Sequence, residues 1–231
     1  MRKLTSITGL RNSRYVTLVL LGIGCLAVLG CGWNNQGPRY WIRKLPHRMS
    51  PNWFGGLGSS GPDESEAAGQ KLRLIGPAGG VPACIDALRN PRDVVDEVAA
   101  LEALKIYGPA SEPAVPLLVE RLGHKTSWNN AALTLAAIGP AARIAIPTLT
   151  KVVTKKRGFW DRRRGTGGLT VDVEATLSTA LALAKIDRGN KLALETLVYA
   201  VRSDSREVST FAIRYLEQIG PDAKPVAPTI A

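Results

Sequence analysis

Histidine, cysteine and methionine are scarce in this chain of 231 residues, which holds two His, three Cys and two Met. The histidines, His47 and His124, stand far apart, and neither belongs to a His-Glu pair or an H-E-x-x-H run. A surface place is the expectation for both. The cysteines are Cys25, Cys31 and Cys84, which form neither an even disulfide framework nor a C-x-x-C zinc pair. Cys84, between Ala83 and Ile85, reads as a small core residue. No P-loop and no G-x-S-x-G occurs, and Gly165-Thr166-Gly167-Gly168 lacks the strand and helix of a phosphate cradle. Acidic residues are scattered, so paired-carboxylate chemistry has no visible seat. These absences leave no catalytic residue, no metal and no cofactor to expect, and the chain reads as a non-enzyme.

Acidic residues are also missing from the first 61 positions, which hold eight Lys and Arg. From residue 62 onward, 22 basic and 19 acidic residues nearly balance. Most of the net charge of +11 therefore precedes the folded part, and it is poor evidence for a nucleic-acid-binding domain.

Residues 1–14 are a basic leader, and residues 15–32 carry no charge. A positive start before an apolar run is the form of an export signal or a membrane anchor. Val28-Leu29-Gly30-Cys31 resembles a bacterial lipobox, which implies a lipid on Cys31. An uncleaved single-pass anchor and ordinary cleavage are the other readings. Each places the chain at a membrane or on its exported side, periplasmic or cell-envelope. Residues 33–61, rich in Gly, Pro, Asn and Ser, read as a linker. Its Trp33, Tyr40, Trp41, Trp53 and Phe54 among basic residues suit a lipid headgroup layer.

What is abundant is repetition. Leu135-Ala136-Ala137-Ile138-Gly139-Pro140 recurs as Leu72–Pro77, Leu104–Pro109 and Leu216–Pro221, with a worn copy at Leu183–Arg188. With each Gly as zero, position −4 is always Leu: Leu72, Leu104, Leu135, Leu183 and Leu216. Position −8 is Ala68, Ala100, Ala131, Thr179 or Ala212, and position −1 is Ile75, Tyr107, Ile138, Ile186 or Ile219. Offsets of three, four and seven put these side chains on one helical face. Gly then ends the helix in left-handed backbone, and Pro prevents its continuation. A second apolar run follows each zero: position +7 carries Ala83, Val115, Ile146, Leu194 and Ala227. Position +10 carries Leu118, Leu149, Leu197 and Ile230, with Asp86 the exception. The zeros, counting Asp187, are 32, 31, 48 and 33 residues apart.

A period in the low thirties with two helices per unit predicts an all-α fold, an α-solenoid of about five helix pairs over 62–231. The cassettes resemble HEAT repeats, of the short kind similar to those in phycobilisome lyases. The ankyrin and TPR signatures are missing. The resemblance implies a fold and carries no catalytic residue; the His-Glu pairs of iron-binding HEAT-like enzymes do not occur here.

The long spacing holds an insertion at 157–169, expected as a mobile basic loop. With the residues before it, it supplies the candidate partner-binding set: Lys155, Lys156, Arg157, Trp160, Arg162, Arg163 and Arg164. Arg and Lys there suit an acidic protein face, a lipid headgroup or phosphate, and Trp160 beside arginines suits base stacking. The sequence thus points to a membrane-tethered HEAT-like scaffold for a protein partner. The alternatives are a binder of nucleic acid or another anionic polymer through the insertion, and a lyase-like or chaperone activity on the same fold. The chain's end at Ala231, partway through a second helix, adds self-association there as a further expectation.

Overall fold

The computed structural model describes residues 37–45, 62–124, 126–162 and 171–226. It divides into two compact units, residues 1–37 and 38–231, and the account below concerns the second. Cys31 and the rest of the N-terminal run lie outside the described residues, as do 46–61 and the C-terminal 227–231.

The described residues are all-helical, without a strand among them. Pro38–Arg43 forms a short helix, α1. Pro62–Arg89, α2, is two helices joined at Gly76. Then follow α3 (Val94–Tyr107), α4 (Val115–Arg121), α5 (Trp128–Ile138), α6 (Ile146–Arg162), α7 (Val171–Ile186), α8 (Lys191–Val201) and α9 (Arg206–Ile219). Gly108–Ala114, Gly139–Ala145 and Gly220–Val226 are 3-10 segments. Helices were expected to begin at 111, 142 and 223. Instead the chain tightens into 3-10 turns from each Gly, and the α-helix starts only at Val115 and Ile146.

The cassette explains the junctions. The Gly139 N–H still donates to the Leu135 carbonyl, so the helix closes its last turn before the chain leaves. Gly139 has φ 68° and ψ −141°, Gly108 and Gly220 are close to it, and Gly76 has φ 72° with ψ 171°. Positive φ was expected, but this ψ is far from the left-handed helical value near +47°. The following Pro is the reason: its ring crowds the preceding residue out of helical ψ and into extended ψ. With positive φ, that combination belongs almost only to glycine. In the worn copy, positive φ moves to Gly189. There Asn190, not a 3-10 turn, starts α8 by accepting the Ala193 N–H.

The periodic positions are core. All five −4 leucines are buried, as are all five −8 residues. Of the −1 residues, Ile138, Ile186 and Ile219 are buried, while Ile75 and Tyr107 pack against the core half-buried. Tyr107 is accommodated by Gly80, where a Cβ would lie 1.9 Å from the Tyr107 hydroxyl. That hydroxyl donates to the Leu72 carbonyl at 2.9 Å. Burial, and secondarily Cys84 nearby, pushes the phenol up to about 12. Cys84 itself is buried, and burial pushes its thiol up to about 12, which leaves it an inert core residue. Thr179, the one departure from Ala at −8, accepts the Trp128 indole N–H at 3.0 Å.

Contacts run between neighbours. The second half of the chain packs α3 on α5, α5 on α7 and α7 on α9, so the first helices of successive cassettes touch. Gly108–Ala114 lies against Gly139–Ala145, α4 against Gly139–Ala145, and α6 against α8, so the second halves touch as well.

One stretch, Trp128–Lys155, is long and apolar enough to cross a membrane by length and composition. Half of its most apolar window is buried inside the protein, and Gly139 breaks it into α5 and α6. Its apolar side chains, among them Leu135, Ile138 and Leu149, are therefore already spent on the core.

Candidate partner-binding surface

The basic residues around the insertion begin on α6. Leu149 and Val153 of α6 are fully buried, while Pro147, Lys151, Thr154 and Lys155 are exposed. The sequence expectation ended this helix at residue 156, whereas its backbone continues to Arg162. Arg157, Trp160 and Arg162 therefore stand on a helix and not in a loop. The physical reason is that Thr154–Arg157 contains good helix formers and no Pro, and the single Gly158 costs only about 1 kcal/mol. Arg163 and Arg164 lie outside the described residues.

A helix sorts residues that a loop would mix. The backbone of Arg162 lies eleven and seven residues, about three and two turns, after the exposed Lys151 and Lys155. Trp160 has the register of the buried Leu149 and Val153, also eleven and seven residues before it. Trp160 and Arg162 are about 200° apart around the axis. Lys151 and Lys155, which are exposed, and Arg143 on the preceding 3-10 segment have no ion-pair partner among the described residues.

Sequence reasoning missed a second charged region. Arg39 and Arg43, read as linker residues suited to lipid headgroups, are one turn apart on α1 and face carboxylates instead. Arg39 reaches Asp86 at 3.1 Å, Asp96 at 3.5 Å and the Asn90 carbonyl at 2.8 Å. Arg43 reaches Asp93 at 3.1 Å and Asp96 at 3.9 Å. Asp96 is fully buried, and its Oδ2 also accepts the Arg92 backbone N–H at 3.3 Å. Asp93 caps α3 by accepting the Asp96 N–H at 2.7 Å, which chiefly holds its carboxyl below the usual range, with Arg43 adding to the effect. Ile42 and Leu45 join the core, and Trp41 packs against it. Asp86, the exception at position +10, is thus the partner of α1. The available signals were Pro38 at a helix start, arginines four apart, and Ile42 and Leu45 three apart.

Other polar groups inside the fold pair with packing neighbours, while Ser127 Oγ and Asn129 Oδ1 are buried without a hydrogen-bond partner. Arg121 pairs with Glu97 at 3.3 Å and donates to the Leu88 carbonyl. Asn129 donates to Glu174 at 2.7 Å. Burial, then the Glu174 charge, pushes the Tyr215 phenol up to about 12. Among the described residues no group of three or more His, Cys, Asp and Glu is placed to hold a metal ion. His124 is exposed. A groove of about 680 Å³ between the second half of α2 and Gly108–Ala114 is lined mainly by Pro77, Val81, Pro82, Ile85 and Pro113. Its ionisable members are Asp86, already paired with Arg39, and Arg89.

No protein-family model, no curated protein and no solved structure matches this chain.

Proposed function

We propose that the chain is a non-enzymatic scaffold, tethered to a membrane by its N-terminal segment, whose helix pairs stack as a short HEAT-like solenoid and bind a protein partner. The observation that carries this reading is the neighbour-to-neighbour packing of the cassettes. Each first helix lies on the next, the Gly108, Gly139 and Gly220 junctions have nearly the same backbone, and the repeated positions of the cassette are spent on burial. What the cassettes leave for chemistry is their outer face. Stacked helix pairs present a long surface with little intrinsic reactivity, which suits binding. Exposed Lys151 and Lys155 support partner contact on α6, with Arg162 in the same register. The basic leader and apolar run at 1–32 support the tether, with Cys31 as the lipidated residue.

The test uses the full chain expressed in a bacterial envelope. Membrane fractionation, the mass of the mature N-terminus, and crosslinked capture from that envelope are compared for the native chain and R162E/R163E/R164E. The expected result is a membrane-bound chain that captures a defined protein, with capture reduced at least tenfold in the variant. A chain wholly in the soluble fraction overturns the tether. Capture equal in both forms overturns the contact role of the α6 end.

A further inference from the structure

Repeat-equivalent positions on two adjacent second halves carry opposite charge. Four residues past the zero, Gly108–Ala114 bears Glu112 and Gly139–Ala145 bears Arg143. Eight past it, both cassettes have proline, Pro116 and Pro147, and twelve past it, Glu120 on α4 matches Lys151 on α6. All six are exposed. The two 3-10 segments lie against each other, and α4 lies against Gly139–Ala145. None of the four charged residues has an ion-pair partner among the described residues. Within each row a proline separates the charges, Pro116 between Glu112 and Glu120 and Pro147 between Arg143 and Lys151, and Ile144, next to Arg143, is 70% exposed.

Such a pair of rows is complementary to itself. A two-fold axis running between the rows and parallel to them sets the acidic row of one copy over the basic row of the other, in the same register. Glu112 then meets Arg143 of the second copy, Glu120 meets Lys151, and the symmetry repeats both pairs, while the proline and isoleucine surfaces close the middle. We propose that this face, Glu112, Glu120, Arg143 and Lys151 around Pro116 and Pro147, is a self-association surface for a second copy of the chain. Lipid is a poorer occupant, because a negative headgroup layer would meet Glu112 and Glu120. A nucleic acid is disfavoured on the same ground. A dimer held by exposed ion pairs is salt-sensitive. The contact stands apart from the scaffold reading, since capture of another protein is measured separately.

The test is a charge swap on the full chain in its membrane. Equal amounts of isotopically heavy and light chain are treated with a carbodiimide, which joins a carboxylate to an amine in contact with it, and crosslinked peptides are identified by mass. The native chain is expected to give heavy–light links between Glu120 and Lys151. E112K/E120K alone and R143E/K151E alone are each expected to lose at least nine-tenths of the intermolecular links. Mixing the two variants restores them, because one copy then presents two basic rows and the other two acidic rows. Links confined to heavy–heavy and light–light peptides in the native chain overturn the proposal, and so does a mixture that fails to restore them while each variant keeps its native helical signal and melting transition.

Discussion

Gly139 is where one atom decides whether a junction forms. Its φ of 68° with ψ −141° is open to glycine and strained for other residues, yet no atom lies within 4 Å of the place a Cβ would occupy. Gly139→Ala therefore isolates backbone strain from steric clash. The expected loss is about 1–3 kcal/mol, which lowers the melting temperature by roughly 2–12 °C in a domain of this size. Gly69 is the control, since it lies inside helix α2 with equally open space at its Cβ. Gly69→Ala is expected to stabilise by about 0.5–1 kcal/mol, because only the unfolded chain loses freedom. Thermal melts of the two variants check both signs. The sequence disclosed the glycine and its positive φ, but the left-handed helical cap it led us to expect is replaced by extended ψ. The constraint that does so, the ring of Pro140, was also in the sequence and acts on the residue before it.

At the scale of elements, apolar positions spaced along long helices were legible and short or charge-held ones were not. The −4 and −8 residues announced the first helices because five copies repeat the same offsets, and all are buried. Helix α1 gave no such signal, since six residues offer too few turns for a period. Its place depends on Asp86, Asp93 and Asp96, which lie about fifty residues further along the chain. Asp96 is the centre of that contact. Asp96→Asn removes the buried charge between two arginines that remain about a third exposed and keep Asp86 and Asp93. Solvent screening and those second partners reduce the penalty of a broken buried pair, so the expected cost is about 2 kcal/mol. Urea unfolding, with the slope unchanged, measures it. Asp93 adds a pH dependence. Its carboxyl is held below 3.8, so the folded state favours the carboxylate; this stabilisation is complete above pH 3.8 and fades as pH falls through the lowered value. Asp93→Asn keeps a capping side chain and is expected to flatten the stability curve there, as read from urea midpoints between pH 2 and 5.

The extension of α6 to Arg162 belongs to the same scale. An insertion judged by its glycines and charges reads as loop, but Lys, Arg and Thr without proline allow an existing helix to run on. The consequence for the candidate site is a division by register. By backbone position Arg162 repeats the phase of Lys151 and Lys155, and Trp160 that of Leu149 and Val153. The outer charges themselves were legible as composition, whereas their sorting into an acidic row and a basic row emerges only when adjacent cassettes are placed side by side.

For the whole molecule, the proposed stacking requires each helix pair to touch its sequence neighbours, so that distance along the chain becomes distance in space. Exposed second-half positions make that measurable: Arg89, Glu120, Lys151 and Glu195 sit on α2, α4, α6 and α8. Each added repeat contributes about 10 Å, the spacing of packed helices. Pulsed electron–electron resonance between spin labels at Arg89 and Lys151, and at Arg89 and Glu195, reads the sum directly. The stacked arrangement predicts about 20 Å for the first pair and about 30 Å for the second. A distance from Arg89 to Glu195 equal to or shorter than that from Arg89 to Lys151 would contradict it.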